Sequence, residues 1–108
     1  MNIMPVSLNN NIKLRSGFSF DEFGTWSKYG RLVILSLNGL RTTRSGSGIE
    51  CFYDLPIQRT RPLVDSFADA GSNTHLRLYG TIGGKTMNCH CTSQNVATWG
   101  YAVYLTDL

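Results

Sequence analysis

The sequence predicts an all-β domain, an antiparallel β-sandwich or jelly roll of about eight short strands. Three observations lead there. Eleven glycines accompany five Tyr, five Phe and two Trp, the residue types that strands and their turns favour. Apolar and polar residues alternate over several short stretches, the period of a strand with one buried face. Turn signals separate these stretches at close spacing, which fits two packed sheets better than a meander with one wet face.

A chain of 108 residues suffices for one domain with one core. Its 42% hydrophobic content is ordinary, whereas 16% charged residues is low against the usual quarter. So little charge leaves less solvated surface than a monomer shows, and part of the surface is expected to be covered by other copies of the chain. The net charge is +3, and Arg15, Arg31, Arg41, Arg44, Arg59, Arg61 and Arg77 are scattered, which is no nucleic-acid footprint. Cys51, Cys89 and Cys91 form an odd set, two of them a single residue apart on one strand, and are expected as reduced thiols in a protein assembled in the cytosol. No basic n-region with an apolar h-region opens the chain and no window approaches a spanning length, so no membrane insertion is expected.

Residues 1–11 are polar, with Pro5 and the run Asn9-Asn10-Asn11, and read as a linker or the end of a preceding shaft; residues 12–108 form the domain. Ile12, Leu14, Phe18 and Phe20 fall at even numbers, predicting a strand over 12–20, and residues 21–24 supply a turn. Residues 24–28 and 31–38 flank Tyr29-Gly30 and read as a hairpin whose glycine is available for a positive φ. The run from Leu32 to Leu37 is apolar at nearly every position and predicts a strand covered on both faces. Residues 40–48 are expected as a long exposed loop, and residues 49–55 as a strand that Pro56 ends. Residues 63–70 admit a short helix or a bulged strand, and strand is preferred. After a turn at Gly71-Ser72-Asn73, Leu76, Leu78, Gly80 and Ile82 alternate as a half-buried strand, and Gly83-Gly84 turns it tightly into a partner at 85–91. Residues 92–98 are a polar loop. The closing strand over 99–105 places Tyr101, Val103 and Leu105 on one face.

Cys89-His90-Cys91 is the one stretch that invites a metal. On a strand its two thiols point one way and the imidazole the other, so no metal is expected and the cysteines read as small buried hydrophobes. No nucleophile elbow, phosphate loop or zinc-protease helix is present, and no cofactor is expected. Seven scattered carboxylates, Asp21 and Glu22 among them, read as solvated or turn-capping groups and not as a glycosidase pair. Trp26 is expected in the core, while Trp99, at a loop-strand junction, is open to stack on a sugar. Arg59 and Arg61 are expected to cover surface or to pair between subunits.

Trp26 with Lys28-Tyr29-Gly30-Arg31-Leu32-Val33-Ile34-Leu35, then Leu55-Pro56 and Arg61-Pro62, then Leu76-Arg77-Leu78-Tyr79-Gly80-Thr81-Ile82, and a closing Gly100-Tyr101-Ala102-Val103-Tyr104-Leu105 form an ordered string. It resembles the C-terminal receptor-binding head domains of bacteriophage tail-fibre and baseplate proteins, over about four fifths of the chain from Gly24 onward. The resemblance implies a homotrimer at the distal end of a fibre, in the virion tail, assembled in the host cytoplasm beside other virion tail proteins. It implies binding of a host cell-wall saccharide or teichoic acid without catalysis. The other readings are a decoration or collar protein of the same fold and, third, a small glycan hydrolase.

If consecutive strands alternate direction, the loops at 21–23, 41–48, 71–73 and 92–98 share one end, opposite the end where the N-terminus enters. Polar loops at a free end are where binding residues gather. The expected binding set is Arg41, Arg44, Asn73, Gln94, Asn95 and Trp99.

Overall fold

A computed structural model of the chain describes residues 8–68, 76–91 and 96–108. Among the described residues there is no helix, and the strands are β1 (Leu8–Asn11), β2 (Lys13–Leu14), β3 (Phe18–Tyr29), β4 (Leu32–Thr42), β5 (Gly46–Tyr53), β6 (Leu63–Ala68), β7 (Arg77–Gly80), β8 (Met87–Cys91) and β9 (Thr98–Leu105). They make two antiparallel sheets, one of five strands in the order β1-β3-β4-β9-β6 and one of four in the order β2-β5-β8-β7. Consecutive strands stay in one sheet only at β3–β4 and at β7–β8; every other connection crosses to the opposite sheet.

The core lies between the sheets. Val33, Leu35 and Leu37 of β4, with Ala102 and Tyr104 of β9, meet Cys51, Phe52, Met87 and Cys89 of the second sheet, all of them buried. Each large side chain taken out of water there contributes about 1.5–3 kcal/mol. Phe20 and Phe52 stack across the gap with ring centroids 6.1 Å apart, and Trp26 packs against the same core, as its place on a strand predicts. The buried Tyr104 hydroxyl donates to the Pro56 carbonyl at 2.8 Å, so its polar tip is satisfied where its ring is dry.

The hairpin between β3 and β4 closes through Gly30-Arg31, with Tyr29 opposite Leu32. Gly30 has φ 60°, and a positive φ at the first turn position matches the right-handed twist of the strands it joins. The turn sits one residue later than the sequence suggests.

The strand expected over 12–20 is broken at residues 15–17, and the turn expected at 21–24 is a bulge inside β3, where the register shifts between Phe20 and Phe23. Ile12, Leu14, Phe18 and Phe20 nevertheless all reach the core. The break hands the chain from one sheet to the other, and both sheets line the same interior, so the period of two survives the crossing. The run Asn9-Asn10-Asn11, read as linker, is paired to β3 with Asn11 opposite Thr25.

The β4 strand is central in its sheet but not covered on both faces. Val33, Leu35 and Leu37 are buried, while Leu32 is 38% exposed and Ile34 half-buried. The exposed loop expected over 40–48 shrinks to residues 43–45, because β4 continues to Thr42 and buries Leu40 and Thr42. The β6 segment is a strand with regular alternation. The expected strands around Gly83-Gly84 are shorter: β7 stops at Gly80, and β8 starts at Met87. Ile82 consequently projects into solvent, 59% exposed. Gln58 takes up the connection, its backbone N–H donating to Gly84 O at 2.9 Å and its side-chain amide to Thr86 O at 2.8 Å. The tight turn itself forms, with Gly84 N–H donating to Thr81 O at 2.9 Å and Gly83 at φ 90°, and Gln58 ties it to a distant loop where the flanking strands stop short.

Candidate functional site

The strand register sets out the outer face of the five-stranded sheet row by row, since directly paired residues of an antiparallel sheet share a face. Nearest the Gly30 turn, Tyr29, Leu32 and Leu105 stand in line. Next come Ser27, Ile34, Val103 and Leu63, then Thr25, Ser36, Tyr101 and Asp65. The last row is Phe23, Asn38, Trp99 and Phe67. Beyond the Gly39 bulge, Arg41 continues outward beside Ser19.

This face carries Phe23, Leu32, Leu63, Phe67, Tyr101 and Leu105 open to solvent. It is aliphatic towards the Gly30 turn and aromatic with polar partners towards the other end. The single charged side chain in the four rows is Asp65.

At the far end, Arg41 Nε donates to Asp21 Oδ1 at 2.7 Å. The hydrogen bond from this guanidinium, which outweighs the small desolvation of the carboxyl, lowers the Asp21 pKa below its ordinary value. Arg44 is exposed in the 43–45 segment, with its aliphatic stem laid over Gly17. The segment is held by Thr43 N–H donating to Gly17 O at 2.9 Å and by the Thr42 hydroxyl donating to the same carbonyl at 3.0 Å.

Of the expected set, Arg41 and Trp99 therefore share one open face. Arg44 stands apart, on the turn that joins the two sheets. Asn73, Gln94 and Asn95 lie outside the described residues; the strand ends that flank them, Ala68, Arg77, Cys91 and Thr98, are at the Arg41 end, since Ala68 and Leu40 both pair with Thr98, and Cys91 pairs with Gly46. Sequence reasoning missed Phe23, Asn38, Phe67 and Asp21 as neighbours of the site. The odd parity of Trp99 and Tyr101 on the closing strand was visible, but which residues flank them depends on pairing with β4 and β6, distant in the chain.

Arg59, expected on the surface or between subunits, pairs within the chain: its Nε and Nη2 each reach an Asp107 carboxylate oxygen at 2.9 Å. Cys89 and Cys91 are buried with His90 turned the other way, the alternation a strand imposes. Among the described residues no group of His, Cys, Asp and Glu gathers as a metal site. Comparison with known protein families, characterised proteins and solved structures finds no match.

Proposed function

We propose that the chain is a non-catalytic adhesion module of a bacteriophage tail, a trimeric head that holds a saccharide of the host cell wall at the Arg41 end of the sandwich. The observation that carries this reading is the row Phe23, Asn38, Trp99 and Phe67, with the ion-paired Arg41 beyond it. Flat rings beside an amide and a guanidinium match a pyranose, which presents an apolar face and a polar edge. A guanidinium also suits the phosphates of an anionic wall polymer. Arg44, on the neighbouring turn, extends the same end in this reading.

Two features of the fold support it. The β1 strand starts at the opposite end, with Leu8 paired to Lys28 beside the Gly30 turn, which leaves it clear of the Arg41 end. The strand orders β4-β9-β6 and β5-β8-β7, with the chain crossing between sheets at β4–β5, β5–β6, β6–β7 and β8–β9, agree with a reduced jelly roll to which the β3 hairpin arm adds.

The test is retention of the purified chain on host cell walls and on a glycan array. The expected result is binding that Trp99→Ala weakens about tenfold, the effect of losing a stacked ring, with an unchanged circular dichroism spectrum. No retention on any wall polymer, with incorporation into particles intact, overturns adhesion in favour of a decoration or collar protein.

A further inference from the structure

We propose that copies of this chain associate through the aliphatic part of the outer face of the five-stranded sheet, the occupant of that surface being a second copy. Leu32 is paired with Leu105 and Leu63 with Val103. Between them lies a groove of about 390 Å³, floored by Val103 and Tyr104 with Arg61 at its rim. Leu63 is 73% exposed. The alternate residues of these strands are spent on the core, and of the outward ones Leu32, Leu63 and Leu105 stay open to solvent.

The chemistry selects the occupant. Over β4, β9 and β6 the rows nearest the Gly30 turn offer only leucine, isoleucine and valine, with the hydroxyls of Tyr29 and Ser27 confined to the β3 side. That is a poorer surface for a sugar, which needs polar partners, than for an apolar partner. With Tyr101, the three leucines leave on the order of 400 Å² of apolar surface open, counting ~150–250 Å² for a fully exposed ring and somewhat less for a leucine. A standard interface covers roughly 800 Å² per partner, about 65% of it apolar in homodimers. The half-open Ile34 and Val103 make up much of the difference. Arg61 flanks Leu63 on one side and Asp65 on the other, both exposed, so a second copy brings an opposite charge to either rim.

This assignment rests on the association that a trimeric head requires, and the experiment separates the two. Analytical ultracentrifugation of the chain over a concentration series is expected to show an assembly larger than a monomer. Leu63→Glu should weaken association about tenfold or more while keeping the β-sheet circular dichroism and melting temperature, because the replaced side chain is exposed. Ile82→Glu, in the turn between β7 and β8 of the other sheet, should leave assembly unchanged. A wild-type chain that stays monomeric overturns association and surface together. Equal association of wild type and Leu63→Glu, or equal loss in both variants, overturns this surface and leaves association standing.

Discussion

Gly39 of β4 passes directly under Asp21 of the β3 bulge: a Cβ placed on the glycine would lie 2.5 Å from the aspartate Cβ. The glycine has φ 79°, a conformation in which other residues are strained. The bulge and the glycine therefore depend on each other, and together they aim Arg41 along the outer face. Gly39→Ala is expected to cost about 1–2 kcal/mol from backbone conformation, and more from the clash. Urea denaturation measures it; an unchanged midpoint would show that the two strands separate here without loss.

Asp21 and Asp107 are expected to titrate below the ordinary carboxylate range, because the hydrogen bonds from Arg41 and Arg59 respectively favour their charged forms. A folded-state pKa that is lowered means a contribution fully present above the unfolded-state pKa, near 3.8 for both, and lost as pH falls through the lowered folded value. Carboxyl-detected NMR titration checks this. Arg41→Ala should move the Asp21 midpoint up and leave Asp107 where it is.

Phe52 is fully buried and Phe67 is 64% exposed. Phe52→Ala is expected to cost about 3–5 kcal/mol, a large share of the roughly 5–15 kcal/mol of a whole domain, while Phe67→Ala should stay within about 0.5 kcal/mol. Chemical denaturation of the two variants decides it. A large loss at Phe67 in dilute monomer would mean that this ring supports the fold itself.

The thiols should be silent in the native state. Cys51, Cys89 and Cys91 are buried thiols outside any disulfide, and the Cys51 thiol donates to Met87 O at 3.2 Å. Burial pushes the Cys51 pKa far up and keeps it protonated at neutral pH. A chromogenic disulfide reagent is expected to react with none of the three before unfolding and with all three in denaturant. Fast native reaction at Cys51 would contradict its burial.

The all-β class, the hairpin at Gly30, the strand at residues 63–68 and the face shared by Tyr101, Val103 and Leu105 were legible in the sequence. Each rests on local physics: a period of two, a glycine with freedom in φ, and side chains that alternate about a strand. The same alternation placed Cys89 and Cys91 opposite His90.

Register and sheet membership were not legible locally. Nothing near Asp21 distinguishes a turn from a bulge, because its conformation is decided by Gly39 across the ladder and by Arg41 beyond it. Nothing near Ile82 shows that the strands around the Gly83-Gly84 turn stop short, or that Gln58, distant in the chain, bonds the segment that follows them. The candidate site follows the same division. An expected polar loop marked Arg41 and a loop-strand junction marked Trp99 as exposed, but only the tertiary structure carried β4 through Arg41, set Trp99 between Asn38 and Phe67, and put Leu63 beside Val103 on a face left open. A strand's period determines which residues share a side; the tertiary structure decides which side the second sheet covers, because only one face of a sheet can pack against it.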